Sequence, residues 1–144
     1  MNKWPFTLLI VCTLLISSAC NDASSPPDSG EIQQLRISNT GIEDIEGLFV
    51  LFPGSTPAET VRIDFGDVPA GETTEYQSVP TGVYRYAAYE YTLGGTTVHQ
   101  SVIDWVGEQS LEGVQFTYEI LLDTARVQGD QIQLVNIFNE NSPG

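Results

Sequence analysis

A chain of 144 residues with 41% hydrophobic and 10% aromatic content has material for one packed domain and too little for two. Five Lys and Arg stand against nineteen Asp and Glu, a formal net charge of -14, which excludes nucleic acid and electrostatic docking on anionic lipid, since both need basic surface. Two Cys and one His cannot build a Cys/His zinc cluster, and no metal or other cofactor is expected.

Lys3 opens the chain with a positive charge, and an apolar run follows from Phe6 to Ile16. At about 11 residues the run has the length of a signal h-region and falls short of the roughly 20 that span a bilayer as a helix. Small residues come next, Ser17-Ser18-Ala19, and then Cys20. One reading is an ordinary secretory leader cut after Ala19. The other is a lipoprotein leader.

The segment resembles the bacterial lipoprotein signal peptide, in which a lipobox of an aliphatic and two small residues precedes a Cys. Ser18-Ala19-Cys20 matches that pattern, with Ser17 at the aliphatic position and Ile16 one place earlier. The resemblance implies that residues 1–19 are removed, that the Cys20 sulfur receives a diacylglycerol, and that its amine is acylated, as with palmitate. It covers residues 1–20 and implies nothing about the domain that follows. Two or more acyl chains make a stable anchor, so the expected membrane contact runs through Cys20 and not through the acidic domain. Asn21, where Asp would retain a lipoprotein at the inner membrane, points to outer-membrane delivery, on its periplasmic or surface face.

Residues 20–31 read as the lipidated Cys and a disordered tether, without an apolar side chain larger than Ala or Pro. The domain is expected over residues 32–139, and residues 140–144 as a flexible tail. After Cys20 the chain keeps only Arg36, Arg62, Arg85 and Arg126 against all nineteen acids, so four cations less nineteen anions leave -15. Such a surface suits a salt-adapted host, where screening quenches self-repulsion; it is equally that of an ordinary acidic exported domain.

Within the domain the dominant period is two, the signature of strands. Leu35 and Ile37 alternate with Arg36 and Ser38, and Ile45 to Phe52 forms a longer apolar run. Val61, Ile63 and Phe65 alternate with Arg62 and Asp64 before the turn residues Gly66 to Gly71. Tyr76 opens a short strand that Pro80-Thr81-Gly82 ends. Strands are then predicted over Val83–Thr92, Val98–Val106 and Val114–Leu122, and a last one through Ile132, Leu134 and Phe138. About eight strands and no amphipathic helix predict an all-β fold, an antiparallel β-sandwich. The phrases Gly71-Glu72-Thr73-Thr74-Glu75-Tyr76 and Pro80-Thr81-Gly82-Val83-Tyr84 resemble those of small transthyretin-like and Ig-like bacterial modules. That likeness implies architecture only.

Catalytic patterns are thin. His99 and Ser101 share a strand face with Asp104 opposite, but strand neighbours at i and i+2 lie about 7 Å apart, too far for a Ser–His hydrogen bond. His99 therefore reads as a surface side chain. Glu43, Asp44 and Glu46, and Asp64 with Asp67, are the densest acidic spots; neither follows a calcium-loop spacing, and solvated turn acids explain them. Tyr84, Tyr86, Tyr89, Tyr91 and Trp105 concentrate the aromatic residues. As an exposed strip they would bind a glycan or protein; as core they would only pack. Strict alternation over Val83–Thr92 mixes charge with tyrosine on both faces. An extra residue at Ala87-Ala88, a β-bulge or bend, would put all four tyrosines on one inward face.

The expected protein is a lipid-anchored cell-envelope sandwich, a non-catalytic interaction or structural module whose partner is an envelope protein or glycan. The alternatives are a carbohydrate or small-ligand binder using the Tyr/Trp strip, and a small hydrolase using carboxylates.

Overall fold

A computed structural model describes residues 32–54, 59–102 and 108–140. Alternating apolar residues become strands there because each strand has an opposing sheet to bury one face against. In chain order the strands are β1 (Gln33–Asn39), β2 (Ile45–Pro53), β3 (Thr60–Val68), β4 (Gln77–Val79), β5 (Ala88–Leu93), β6 (Thr96–Gln100), β7 (Gln115–Leu122) and β8 (Ile132–Asn139). They form two four-stranded sheets, β4-β1-β7-β8 and β3-β2-β5-β6. The expected eight-stranded sandwich is the fold.

The core lies between the sheets. Leu35 and Ile37 of β1, Leu48, Val50 and Phe52 of β2, and Tyr118 and Ile120 of β7 are fully buried. Each such side chain contributes roughly 1.5–3 kcal/mol by leaving water. The Phe52 ring meets Tyr118 edge-on at 6.2 Å and Tyr84 at 5.8 Å, an aromatic cluster linking the two sheets. Asn39 is a buried polar residue with its hydrogen bonds made: its amide donates to Glu43 O (2.8 Å) and Val68 O (3.0 Å), and its Oδ1 accepts from Gly41 N. It fastens the end of β1 to the turn into β2 and to the end of β3.

Two local irregularities follow from glycine. At Gly47 (φ 55°) the β2 register shifts against both neighbours, and the Asp67 carboxylate accepts the Gly47 N–H. Gly94 and Gly95, both with positive φ, close the tight β5–β6 hairpin.

The structure departs from the sequence expectations in four places. The sandwich is not wholly antiparallel: β1 and β7 run parallel, Leu35 opposite Phe116 and Ile37 opposite Tyr118. Alternation reports which face is buried and carries no information on strand direction. The strand predicted over Val83–Thr92 begins only at Ala88. Residues 83–87 are the crossover from β4 in one sheet to β5 in the other, so they cannot pair along β2. The Val83 N–H is instead accepted by the Gln33 side chain, and its carbonyl accepts the Leu111 N–H at 2.7 Å. The chain bends at Arg85 and is not bulged at Ala87-Ala88. The strand predicted over Val98–Val106 ends at Gln100, and Asp104 and Trp105 lie outside the described residues. Glu140, expected to begin a flexible tail, is tied down. Its N–H donates to Gln115 O at 2.9 Å and its carboxylate accepts from Thr117 (2.7 Å) and Arg36 (3.0 Å). Cys20, the leader (1–19), the tether and residues 141–144 lie outside the described residues.

Candidate functional site: a groove beside β8

β8 is an edge strand, and an uncharged edge invites pairing with another chain. Three features guard it. Gln100 clamps its start, donating to Ile132 O (2.7 Å) and accepting from Ile132 N (2.8 Å). Val135 is a bulged residue, since Ile120 pairs with Leu134 and Glu119 with Asn136. The Ile137 N–H is taken up by the Asn136 side chain at 2.9 Å.

A groove of about 490 Å³ lies between β8, the 83–87 crossover and the stretch before β7. Leu111, Phe116, Leu134 and Ile137 line it with buried or partly buried apolar surface, and the exposed Val135 with Asn136 and Asn139 completes the wall. Arg85, Tyr86 and Glu112 stand on its rim, all three exposed. The Tyr86 ring also borders a smaller neighbouring recess of about 340 Å³, with Tyr89, Gln100 and Ile132.

Charge pairing sets Arg85 apart. Arg36 binds Glu140 and lies 4.8 Å over the Tyr76 ring. Arg62 binds Glu90 and covers the Phe49 ring at 3.1 Å. Arg126 binds Asp130. Among the described residues Arg85 is the arginine with no carboxylate partner, in a chain of net charge -14.

The tyrosines singled out in the sequence do not form one surface. Tyr89 and Tyr91 are buried in the core, Tyr84 is partly buried against Phe52, and Tyr86 is half exposed. Tyr86 therefore departs from the shared inward face, whereas Tyr89 and Tyr91 keep it; the reason is the bend at Arg85, which breaks the alternation. Trp105 lies outside the described residues. The Tyr91 hydroxyl donates to Gln131 Oε1 at 2.9 Å inside the protein, and burial raises its pKa. The Tyr89 and Tyr118 hydroxyls are buried without a hydrogen-bond partner. Burial pushes both phenols well above their ordinary range, with the second phenol and Glu108 adding to the effect at Tyr118.

His99 sits opposite Glu90 across β5 and β6, with Nδ1 3.2 Å from the carboxylate and most of its ring in water. Ser101 lies beyond the end of β6, also exposed. The clustered acids serve turns: Asp44 accepts from Ala70 N, Asp64 from Gly66 N and Asp67 from Gly47 N. Among the described residues no three Asp, Glu, His or Cys are grouped to hold a metal ion. Sequence reasoning missed Arg85 and Glu112 as rim residues, because pairing is a tertiary property. The bulge had a signal in Leu134-Val135-Asn136-Ile137, where apolar residues fall next to each other and then skip one.

No family model matches the chain, and no curated protein matches it. A solved structure, "NMR structure of the protein from Eubacterium rectale", is similar over 77% of this chain and 95% of its own, at 13% identity and a TM-score of 0.46. At that level the likeness bears on neither family nor activity.

Proposed function

We propose that the chain is a lipid-anchored, non-catalytic binding module of the bacterial cell envelope, on the outer membrane. The observation that carries this reading is the order of parts: an apolar leader ends at Ser18-Ala19-Cys20, and the first strand of the sandwich begins at Gln33. Twelve intervening residues reach at most about 40 Å when extended, enough to hold a small sandwich clear of lipid headgroups. Net charge supports the same arrangement, since an acidic domain gains nothing from anionic lipid and needs a covalent anchor to stay at the membrane. A glycan-binding strip is the weaker reading, because Tyr89 and Tyr91 are spent on the core.

The test is membrane fractionation of the full chain and of Cys20→Ala, with intact-mass measurement. The native chain should partition with membranes and carry added mass matching diacylglycerol and an acyl group. Cys20→Ala should lose that mass and appear as soluble or uncleaved protein. Identical fractionation and no added lipid mass in the native chain would overturn the anchor.

A further inference from the structure

We propose that the groove beside β8 binds a short apolar peptide with free termini, Arg85 holding its α-carboxylate and Glu112 its ammonium group. This goes beyond the envelope-anchoring reading and does not depend on lipid at Cys20.

Three observations converge on that ligand. First, among the described residues Arg85 is an exposed guanidinium without a carboxylate partner, although acids outnumber basic residues nineteen to five and the other three domain arginines are all paired. A guanidinium offers two parallel N–H donors to a carboxylate, the geometry a chain terminus supplies. Second, the same groove is lined by one acid, Glu112, and Arg85 and Glu112 are not an ion pair with each other. A ligand of net charge zero with separated ends answers both groups. It also escapes the repulsion that a chain of net charge -14 exerts on an anion. Third, Leu111, Phe116, Leu134 and Ile137 line the groove with buried or partly buried apolar surface that suits aliphatic side chains, and Asn136 and Asn139 add polar groups to the same lining.

The volume and the guarded edge limit the size. About 490 Å³ lies within the range of small-molecule sites and holds two or three residues. A longer extended segment would add to β8 as a strand, and the Val135 bulge, the Gln100 clamp and the Asn136 cap oppose that pairing.

The experiment titrates the full chain in detergent with Leu-Leu dipeptide by calorimetry. The same titration is run with its C-terminal amide, its N-acetyl form and free leucine, and vesicle binding is measured by co-sedimentation of the detergent-free Cys20→Ala chain with phosphatidylethanolamine–phosphatidylcholine vesicles. Leu-Leu should saturate one site. The amide should bind about tenfold or more weakly, as loss of a charge-assisted pair implies. Arg85→Ala should lose Leu-Leu by a similar factor and Arg85→Lys by less. Glu112→Gln should weaken Leu-Leu while leaving the N-acetyl form unchanged. All these side chains are exposed, and unchanged melting of each variant separates lost binding from lost folding. Free leucine should bind more weakly than Leu-Leu; equal binding would replace the peptide with a single amino acid and overturn the assignment. So would equal binding of Leu-Leu and its amide, vesicle binding that Arg85→Ala abolishes, or no saturation up to about 10 mM.

Discussion

The two halves of one tyrosine-rich stretch meet opposite fates. From Ala88 onward the backbone is a paired strand between β2 and β6, and Tyr89 and Tyr91 point into the core. From Val83 to Ala87 it crosses between sheets, and Tyr86 turns outward while Tyr84 lies half covered against Phe52. The four side chains are chemically identical. The difference is whether the backbone has a sheet partner, since only a paired strand imposes the alternation that sends every second side chain inward.

A second contrast lies within the core. Tyr91 has a buried partner in Gln131, whereas the Tyr89 and Tyr118 hydroxyls have none. Hydroxyls buried without partners cost stability that a phenyl ring would not.

Truncation is the sharpest way to break the first contrast. Tyr118→Ala and Tyr91→Ala should each cost about 3–5 kcal/mol, as for removal of a large core ring, whereas Tyr86→Ala should stay within about 0.5 kcal/mol. Chemical denaturation of the three variants measures this. Equal losses would mean that Tyr86 is as much a part of the core as the strand residues.

Removing only the oxygen sharpens the second contrast. Tyr91→Phe should cost about 1–2 kcal/mol, because the Gln131 carbonyl oxygen is left buried without its donor. Tyr89→Phe and Tyr118→Phe should be neutral or stabilising by up to about 1 kcal/mol. Losses at all three positions would show that the two unpartnered hydroxyls find hydrogen bonds in solution.

Alkaline pH tests the same pair more gently. Their phenols have folded pKa values above the ordinary value of 10.0, so the folded state keeps protons that the unfolded state gives up. The stabilisation is complete below about pH 10 and is lost as pH rises beyond it. Melting temperature should therefore fall above pH 10, less steeply in the Tyr89→Phe, Tyr118→Phe double variant. Parallel slopes would assign base unfolding to other groups.

Period-two alternation alone determined the fold class and the burial of Leu35, Ile37, Val50, Phe52, Tyr118 and Ile120, because one face of a sandwich strand must be apolar whatever strand lies beside it. That a strand ends at Gly94-Gly95 was legible from the glycine pair; that the two residues make a hairpin turn with positive φ was not. Tertiary structure decided the rest. The parallel pairing of β1 with β7 and the Gln33 and Leu111 bonds that hold Val83 away from a sheet join residues dozens of positions apart, and which arginines find a carboxylate among the described residues is set by the same packing. Local pattern encodes which way a side chain faces. Which strand lies beside it, and which charge reaches it, depends on how distant segments pack.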